Sequence, residues 1–210
     1  MSSACLTPPS SQLDFKLKAF FPVPPAFTMP LTDMNLMEGE ELLFKATVIG
    51  KPEPDVLWMK DGKPIKFSQR IIQSKDDANC HLLKITAAQT MDAGDYVIKA
   101  SNSCGEVECS AKTLVKLTPA FDKNLADKTS VTGELCQFEV LASGIPHPTL
   151  LWYLNDVEIK FNDRIKLEVK EHLYILTLQN VVLADDGVIS VVATNDAGST
   201  KSSARHTVHG

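Results

Sequence analysis

Residues 50–58 read GKPEPDVLW, and residues 144–152 read GIPHPTLLW. In both stretches two prolines come first, and prolines remove backbone hydrogen-bond donors and favour a turn. An extended apolar run follows in each stretch and ends at a tryptophan. Trp58 and Trp152 lie 94 residues apart (152 − 58), which is the length of a small domain. The same turn and strand therefore occur in two successive repeats of one structural unit.

The repeat extends on both sides of these stretches. Pro-Ala-Phe at residues 25–27 recurs at residues 119–121, and the Gly-Glu pair at residues 39–40 recurs at residues 133–134. After each Gly-Glu pair apolar and polar residues alternate, which predicts a strand with one buried face. The alternating apolar residues are Leu42, Phe44, Ala46 and Val48 in the first repeat, and Cys136, Phe138 and Val140 in the second.

Each repeat ends with a pattern that predicts a hairpin. Gly105 and Gly198 supply the positive φ that a tight connection needs, and Asn102 and Asn195 tolerate the left-handed region nearby. Neither repeat contains a convincing helical pattern. Many short strands separated by turns favour an antiparallel β-sandwich of about 100 residues. We therefore predict an all-β chain of two β-sandwiches in tandem.

Three motifs resemble the immunoglobulin fold of the intermediate set, or I-set. They are the tryptophan of the third long strand, Asp-Xaa-Gly-Xaa-Tyr at residues 92–96, and Asn-Xaa-Xaa-Gly at residues 102–105. We predict a flexible N-terminal segment at residues 1–24, an I-set domain 1 at residues 25–117 and an I-set domain 2 at residues 118–210. The linker between the two patterns is short, which limits bending.

Both domains lack the disulfide that the resemblance implies. In the immunoglobulin pattern it joins the second and sixth strands beside the tryptophan, and its loss typically costs a small domain about 2–5 kcal/mol. Apolar side chains occupy the aligned positions, a replacement that cores tolerate and that suits a compartment where thiols stay reduced. The core positions of the pattern are Trp58, Ala46, Ile98 and Tyr96 in domain 1, and Trp152, Val140 and Val191 in domain 2.

Five cysteines remain elsewhere in the chain. The alternation places Cys109 and Cys136 on inward-facing positions, whereas Cys5, Cys80 and Cys104 fall in turns or in the N-terminal segment. We interpret them as free structural thiols, with a redox disulfide as the alternative. No cysteine pair lies beside a histidine pair at zinc spacing.

The two domains differ at the tyrosine corner. In the immunoglobulin pattern this tyrosine hydroxyl binds a backbone carbonyl upstream; Tyr96 takes the position in domain 1, and Ile189 takes it in domain 2. Domain 2 must therefore satisfy that carbonyl with another group or leave it to water. We predict that domain 2 is the less stable half.

Composition narrows the function classes. With 21 Lys and Arg against 26 Asp and Glu, the net charge is −5, so the chain offers no broad basic surface for nucleic acid or anionic lipid. No run of about eighteen apolar residues is present to span a bilayer, and the first residues lack the apolar core of a signal peptide. We expect a soluble, cytoplasmic protein.

The sequence contains no motif of catalysis. Nucleophile elbows, phosphate loops, zinc-protease helices and kinase signatures are all missing, so we expect no enzyme, no cofactor and no metal. We interpret Trp58 and Trp152 as core anchors and the paired aspartates at 76–77 and 185–186 as turn residues. The five histidines are expected to be solvated or to lie at strand edges: His81, His147, His172, His206 and His209.

The N-terminal segment contains one patterned stretch. Leu13, Phe15, Leu17 and Phe21 alternate with mostly charged residues, close to the period of a strand. One interpretation is a docking segment that adds to an exposed sheet edge, of a partner or of domain 1. The other is a disordered leader, because Pro and Ser cluster nearby.

Tandem I-set domains without the core disulfide are similar to the intracellular arrays of titin, twitchin and kettin, and to palladin and myotilin. The resemblance implies a load-bearing, protein-binding scaffold of the sarcomere or actin cytoskeleton. Its implied partners are filament or cytoskeletal proteins, a kinase, or other immunoglobulin modules. Two alternatives stay open at this point: a cell-surface adhesion or receptor ectodomain, and a regulatory fragment of a giant muscle kinase.

Overall fold

A computed structural model describes residues 21–210 of the chain. Its regular elements are strands, apart from two single-turn 3-10 helices at Thr90–Asp92 and Leu183–Asp185. The chain divides into two compact units, the first ending at Leu114 and the second beginning at Val115. The prediction of an all-β chain is therefore confirmed.

Domain 1 is a sandwich of two sheets. The first sheet has the order β1-β3-β7-β6, and the second has β5-β4-β8-β9, with β2 pairing to β9. The pairs within these orders are antiparallel. The strands are β1 (Val23–Met29), β2 (Met34–Met37), β3 (Leu42–Lys51), β4 (Asp55–Lys60), β5 (Lys63–Pro64), β6 (Ile71–Lys75), β7 (Cys80–Ile85), β8 (Gly94–Asn102) and β9 (Gly105–Lys123).

Domain 2 repeats this topology. The end of β9 pairs with β11 in a sheet that continues through β15 to β14, and the opposite sheet has the order β10-β17-β16-β12-β13. The pairing of β10 with β17 is parallel. The strands are β10 (Lys128–Val131), β11 (Cys136–Ile145), β12 (Thr149–Leu154), β13 (Val157–Glu158), β14 (Ile165–Lys170), β15 (Leu173–Leu178), β16 (Gly187–Asn195) and β17 (Gly198–His209).

The alternation seen in the sequence becomes the inner faces of the sheets. Along β3 every second residue from Leu42 to Val48 is buried, and along β11 every second residue from Cys136 to Ala142 is buried. Successive side chains of a strand point to opposite faces, so this period puts one face of each strand into the core. The largest fully buried side chains include Trp58, Trp152, Tyr96, Phe44 and Phe138.

Candidate functional site

Apolar side chains fill the disulfide position of domain 1. Ala46 and Ile98 have no exposed surface, and Ile98 lies directly across from Trp58 on the neighbouring strand. The ring of Phe44 stacks on Trp58 with the centroids 6.5 Å apart and meets Tyr96 at 5.0 Å. Burial of these groups is the main stabilising contribution in a core that has no covalent bridge between its sheets.

Domain 2 fills the same space with two valines. Val140 and Val191 are fully buried, and Val191 pairs with Trp152 across β16 and β12. The structure thus places all seven core positions named from the sequence in the interiors of the two sandwiches. Since valine and isoleucine are branched at Cβ, their side chains are stiff and lose little rotamer freedom on burial.

The four cysteines among residues 21–210 are free thiols. Cys104 is exposed and Cys136 is buried. Cys109 is half-buried; its sulfur accepts a hydrogen bond from the Leu31 amide at 3.4 Å, and burial raises the pKa of its thiol. The expectation that Cys80 lies in a turn was wrong, because it begins β7 and is buried. In the preceding turn the Asp76 carboxylate accepts hydrogen bonds from the amides of Ala78 and Cys80, both at 2.9 Å.

Each domain holds a buried carboxylate in a bidentate ion pair. Arg70 donates two hydrogen bonds to Asp92, at 2.6 and 3.0 Å, and the Gln89 amide donates a third at 2.8 Å. Burial by itself would raise the pKa of Asp92, but the bonds from Arg70 and Gln89 outweigh it and hold the pKa below the usual range. A guanidinium and a carboxylate in this fork geometry form one of the stronger side-chain pairs in proteins.

Domain 2 contains the same arrangement at Asp185. Arg164 donates to its two carboxylate oxygens at 2.6 and 2.9 Å, and the Val182 amide donates at 2.9 Å. The interpretation of Asp185 as a turn residue accounts for its hydrogen bond with a local backbone amide. It does not account for the ion pair with Arg164. A signal was present in the sequence, because both arginines lie 12 residues after their tryptophans (70 − 58 and 164 − 152) and precede an isoleucine.

The tyrosine corner of domain 1 is formed as the pattern implies. The Tyr96 hydroxyl donates to the backbone carbonyl of Asp92 at 2.8 Å in the buried interior. Burial raises the pKa of Tyr96, with the charge of Asp92 adding to the shift. Asp92 thus contributes twice to the corner. Its backbone carbonyl accepts from the Tyr96 hydroxyl, and its carboxylate is held by Arg70.

In domain 2 a histidine replaces the tyrosine hydroxyl. His206 is fully buried, and its Nδ1 lies 3.0 Å from the carbonyl oxygen of Asp185, the counterpart of Asp92. A carbonyl can only accept, so Nδ1 carries the proton. Nε2 lies 3.1 Å from the Ser130 hydroxyl, which donates to it when the ring is neutral. The ring also meets Phe138 edge to face at 5.3 Å.

The expectation that His206 is solvated or at an edge was therefore wrong. It pairs with Gly187 across β16 and β17, and its two ring nitrogens lie within hydrogen-bond distance of the Asp185 carbonyl and the Ser130 hydroxyl. Thr113 takes the equivalent place in domain 1, opposite Gly94. Its buried hydroxyl has no hydrogen-bond partner among residues 21–210. The pair Tyr96 and Thr113 in one domain is thus exchanged for Ile189 and His206 in the other.

A repeated asparagine links three segments of each domain. The Asn102 amide donates to the carbonyls of Val23 at 2.8 Å and Pro52 at 2.9 Å, and its oxygen accepts from the Cys104 amide at 2.9 Å. The sequence suggested only that these asparagines tolerate left-handed backbone, and neither has a positive φ. Asn195 makes the corresponding bonds to the Leu117 carbonyl, the Pro146 carbonyl and the Ala197 amide.

The first and last strands of domain 2 lie side by side. Residues Lys128 to Val131 pair in register with residues His206 to His209. Just before this ladder the Asp127 carboxylate accepts from the Arg205 amide at 2.7 Å, and just after it the Thr132 amide donates to the His209 carbonyl at 2.9 Å. In domain 1 β2 pairs with β9 in the same place, and Asp33 accepts from the Lys112 amide at 2.7 Å.

Two further groups of residues were named from the sequence, the N-terminal docking stretch and the histidines. Leu13, Phe15 and Leu17 lie outside the described residues, and Phe21 is exposed. His81 is buried, in contrast to the expectation, because it pairs with Ala46 in the middle of the sheet. Within the described 190 residues (210 − 20) no cluster of three or more His, Cys, Asp or Glu is arranged to hold a metal ion. That part of the chain also contains no helix able to cross a membrane.

Among the known proteins that this chain resembles are muscle and cytoskeletal proteins. The muscle M-line assembly protein unc-89 of Caenorhabditis elegans is 33% identical over 190 residues, which is 88% of this chain and 2% of that protein. Palladin of Rattus norvegicus is 29% identical over 216 aligned positions, covering 83% of this chain and 36% of palladin. The chain thus spans much less than two thirds of either relative. The resemblance inferred from the sequence is confirmed, and it supports a structural scaffolding module.

Solved structures and the family profile agree with these relatives. The structure of an I-band fragment of titin superposes with a TM-score of 0.65 at 29% identity, covering 88% of this chain and 65% of the fragment. The sequence profile described as Immunoglobulin I-set domain matches residues 25–115 and again residues 119–208. The two matches together include most of the chain. The chain therefore belongs to the immunoglobulin I-set family.

Proposed function

We propose that this tandem is a non-enzymatic, load-bearing and protein-binding module of the sarcomere or actin cytoskeleton. The observation that carries the proposal is the parallel ladder between β10 and β17. β10 lies near the beginning of domain 2 and β17 is its last strand. Tension applied to the two ends of the domain therefore pulls these parallel strands in opposite directions along their own axes.

This geometry resists force because its bonds share the load. Strands pulled apart along their axes must break the ladder hydrogen bonds together, whereas strands peeled from one end break them one after another. The bonds from Arg205 to Asp127 and from Thr132 to His209 extend the ladder at its two ends. A core held by packing and free of inter-sheet disulfides also suits a reducing compartment, and we place the protein in the cytoplasm.

The proposed partners are filament or cytoskeletal proteins, a kinase, or other immunoglobulin modules. Membranes and nucleic acids are not proposed as partners, because the net charge of −5 offers no attraction to polyanions. The similarity to unc-89, a muscle M-line assembly protein, supports filament partners. Catalysis is not proposed, since the fold is that of immunoglobulin domains found in structural proteins.

Single-molecule stretching of the full chain tests the load-bearing part. Thr132 precedes Gly133, which has a φ of 90°, so proline at 132 suits the turn yet removes the amide that binds His209. We expect Thr132→Pro to lower the unfolding force of one domain, while Thr132→Ala, which keeps the amide, leaves the force unchanged. Equal forces for the wild type and both variants would contradict the load-bearing role of this ladder.

Co-sedimentation of the full chain with purified F-actin and with purified myosin filaments tests the binding part. We expect one of the two filaments to carry the chain into the pellet at physiological salt. Failure with both filaments would remove filament binding from the proposal and leave the mechanical result standing.

A further inference from the structure

Domain 1 has an open groove between its first strands and β3. The groove has a volume of about 480 Å³, within the size range of ligand-binding clefts. We call it the methionine groove, after two of its lining residues, Met29 and Met34, which lie where β1 ends and β2 begins. Its wall combines the apolar residues Met29, Pro30, Met34 and Leu43 with polar side chains at positions 32, 33, 35 and 45.

Domain 2 covers the equivalent place with charged side chains. The register of the repeat aligns Met29 with Lys123, and Lys45 with Glu139. In domain 2, Lys123 and Glu139 form an ion pair, with 2.6 Å between the amine nitrogen and a carboxylate oxygen. Lys128, at the position of Met34, places its amine 5.9 Å from the centre of the Phe138 ring. The same architecture thus has a charged ion pair at this place in domain 2 and, in domain 1, an open groove with methionines in its wall.

The lining of the groove suits an aromatic partner. All six methionines of the chain precede residue 92, and domain 2 has none. Methionine is flexible and polarizable, and its sulfur makes favourable contacts with aromatic rings. Met29 lines the groove and leaves 40% of its surface exposed.

The chain itself supplies a matching segment. Leu13, Phe15 and Leu17 alternate with Asp14, Lys16 and Lys18, so an extended strand would present one apolar face with an aromatic ring at its centre. Phe21 is exposed immediately before β1. Pro22 lies between Phe21 and the start of β1, and a proline there favours a change of chain direction.

The length of this segment allows it to reach the groove. From Val23 to Met29, β1 advances six residue steps, roughly 20 Å at about 3.3 Å per residue. Residues 13–20 in extended form span roughly 26 Å. A segment that turns back at Pro22, before β1 begins, and runs beside β1 therefore brings residues 13–17 level with the methionine groove.

We propose that residues 13–20 fold back onto domain 1 and dock in the methionine groove, with the Phe15 ring against Met29 and Met34 and Leu17 beside it. The segment then supplies to domain 1 the cover that the Lys123 and Glu139 pair supplies to domain 2. Lys16 and Lys18 remain on the solvent side. This inference is independent of the load-bearing proposal, because it concerns only an intramolecular surface of domain 1.

Methionine methyl groups give a direct measurement. In the full chain with ¹³C-methyl methionine, a docked Phe15 ring shifts the Met29 and Met34 signals, whereas Met91, which is 72% exposed and distant from the groove, is unaffected. We expect Phe15→Ser with Leu17→Ser to move the first two signals and to leave Met91 in place. Unchanged Met29 and Met34 signals would overturn the proposal.

A second pair of variants tests the groove from the other side. Met29→Lys with Lys45→Glu places the ion pair of domain 2 in the methionine groove of domain 1. The fold already accommodates this pair at the equivalent positions of domain 2. We expect chymotrypsin to cleave after Phe15 several-fold faster in this variant than in the wild type, with Met91→Leu as the matched control. Equal cleavage rates would contradict docking.

Concentration distinguishes the source of the docked segment. Methyl shifts that are independent of protein concentration support the intramolecular form. Shifts that grow with concentration, together with a dimer in analytical ultracentrifugation, would show that a second copy occupies the groove and would overturn the proposal as stated.

Discussion

The two domains satisfy the same backbone carbonyl from different strands. In domain 1 the Tyr96 hydroxyl on β8 reaches the Asp92 carbonyl, and in domain 2 the His206 ring on β17 reaches the Asp185 carbonyl. Both donors are buried, and both corners rest on a bidentate arginine pair. The fold therefore requires a donor at this point in space, while the strand that provides it is free to change. This agrees with the general rule that buried polar groups in proteins have a hydrogen-bond partner.

This comparison changes the basis of one prediction. The lower stability expected for domain 2 rested on the loss of the tyrosine hydroxyl. His206 supplies a donor in its place and adds a bond with Ser130. The relative stability of the two domains stays a prediction, and separate denaturant transitions of the two domains measure it. A lower denaturation midpoint for domain 1 would indicate that the histidine corner stabilises its domain more than the tyrosine corner does.

The largest expected effect comes from the feature that the two domains share. Arg70→Met and Arg164→Met each leave a buried aspartate without its cation, and breaking such a pair costs about 3–5 kcal/mol when fully buried. Both arginines are about one third exposed, so we expect a loss near 3 kcal/mol in the domain concerned. Chemical denaturation of the full chain measures it, with Lys170→Met as a surface control. A loss below 1 kcal/mol in one domain would break the equivalence of the two corners.

The next effect separates the two domains. Tyr96→Phe removes only the donor to Asp92, and His206→Phe removes the donor to Asp185 and the partner of Ser130. Leaving a buried polar group unsatisfied costs about 1–3 kcal/mol. We expect the histidine variant to lose more, since it leaves two groups without partners. Thermal unfolding of each variant measures the difference, and an equal loss would contradict the role assigned to Ser130.

A transplant sharpens the same comparison. Ile189→Tyr with His206→Thr gives domain 2 the pair found in domain 1. Each single change is expected to destabilise, by overpacking or by loss of the donor, at about 1–3 kcal/mol. The double variant is expected to recover most of that loss, because residues that share a contact are not additive. Additive losses in a double-mutant cycle would show that the two corners are not interchangeable.

The smallest expected effect is the pH dependence of domain 1. Burial lowers the pKa of His81, the charge of Lys75 lowers it further, and Asp76 opposes them. The unfolded chain therefore binds this proton more readily, and domain 1 loses stability as the pH falls below about 6.5, the ordinary histidine value. His81→Tyr, the residue that domain 2 has at Tyr174, should abolish this loss. Stability measured between pH 7 and pH 5 checks it, and an unchanged slope in the variant would contradict the assignment.

Some features of the fold could be predicted from local sequence. Alternation at Leu42 to Val48 gave the buried face of β3, and the prolines before Trp58 gave the turn that precedes β4. These signals are local because the period of side chains along a strand is set by the backbone. The burial of Ala46 and Ile98 could be predicted from the alignment of the repeats, since an apolar side chain in a core does not depend on one specific hydrogen-bond partner.

Specific polar contacts could not be read in this way. Two of the three bonds of Asn102 join segments 79 and 50 residues away. The partners of His206 lie 76 residues away on β10 and 21 residues away before β16. A histidine in an alternating strand has the same local pattern whether its ring is buried or solvated. For His206 the packed structure supplies the two partners of the buried ring, the Asp185 carbonyl and the Ser130 hydroxyl.

The sequence by itself determined the repeat, the two sandwiches and the absence of the inter-sheet disulfide, because side-chain period and cysteine positions are properties of the linear chain. Only the tertiary structure decided which donor serves each corner, which asparagine joins the segments and where domain 1 leaves a groove uncovered. Hydrogen bonds require atoms within about 3 Å of each other. Distances of that kind between remote residues exist only after the sheets have packed.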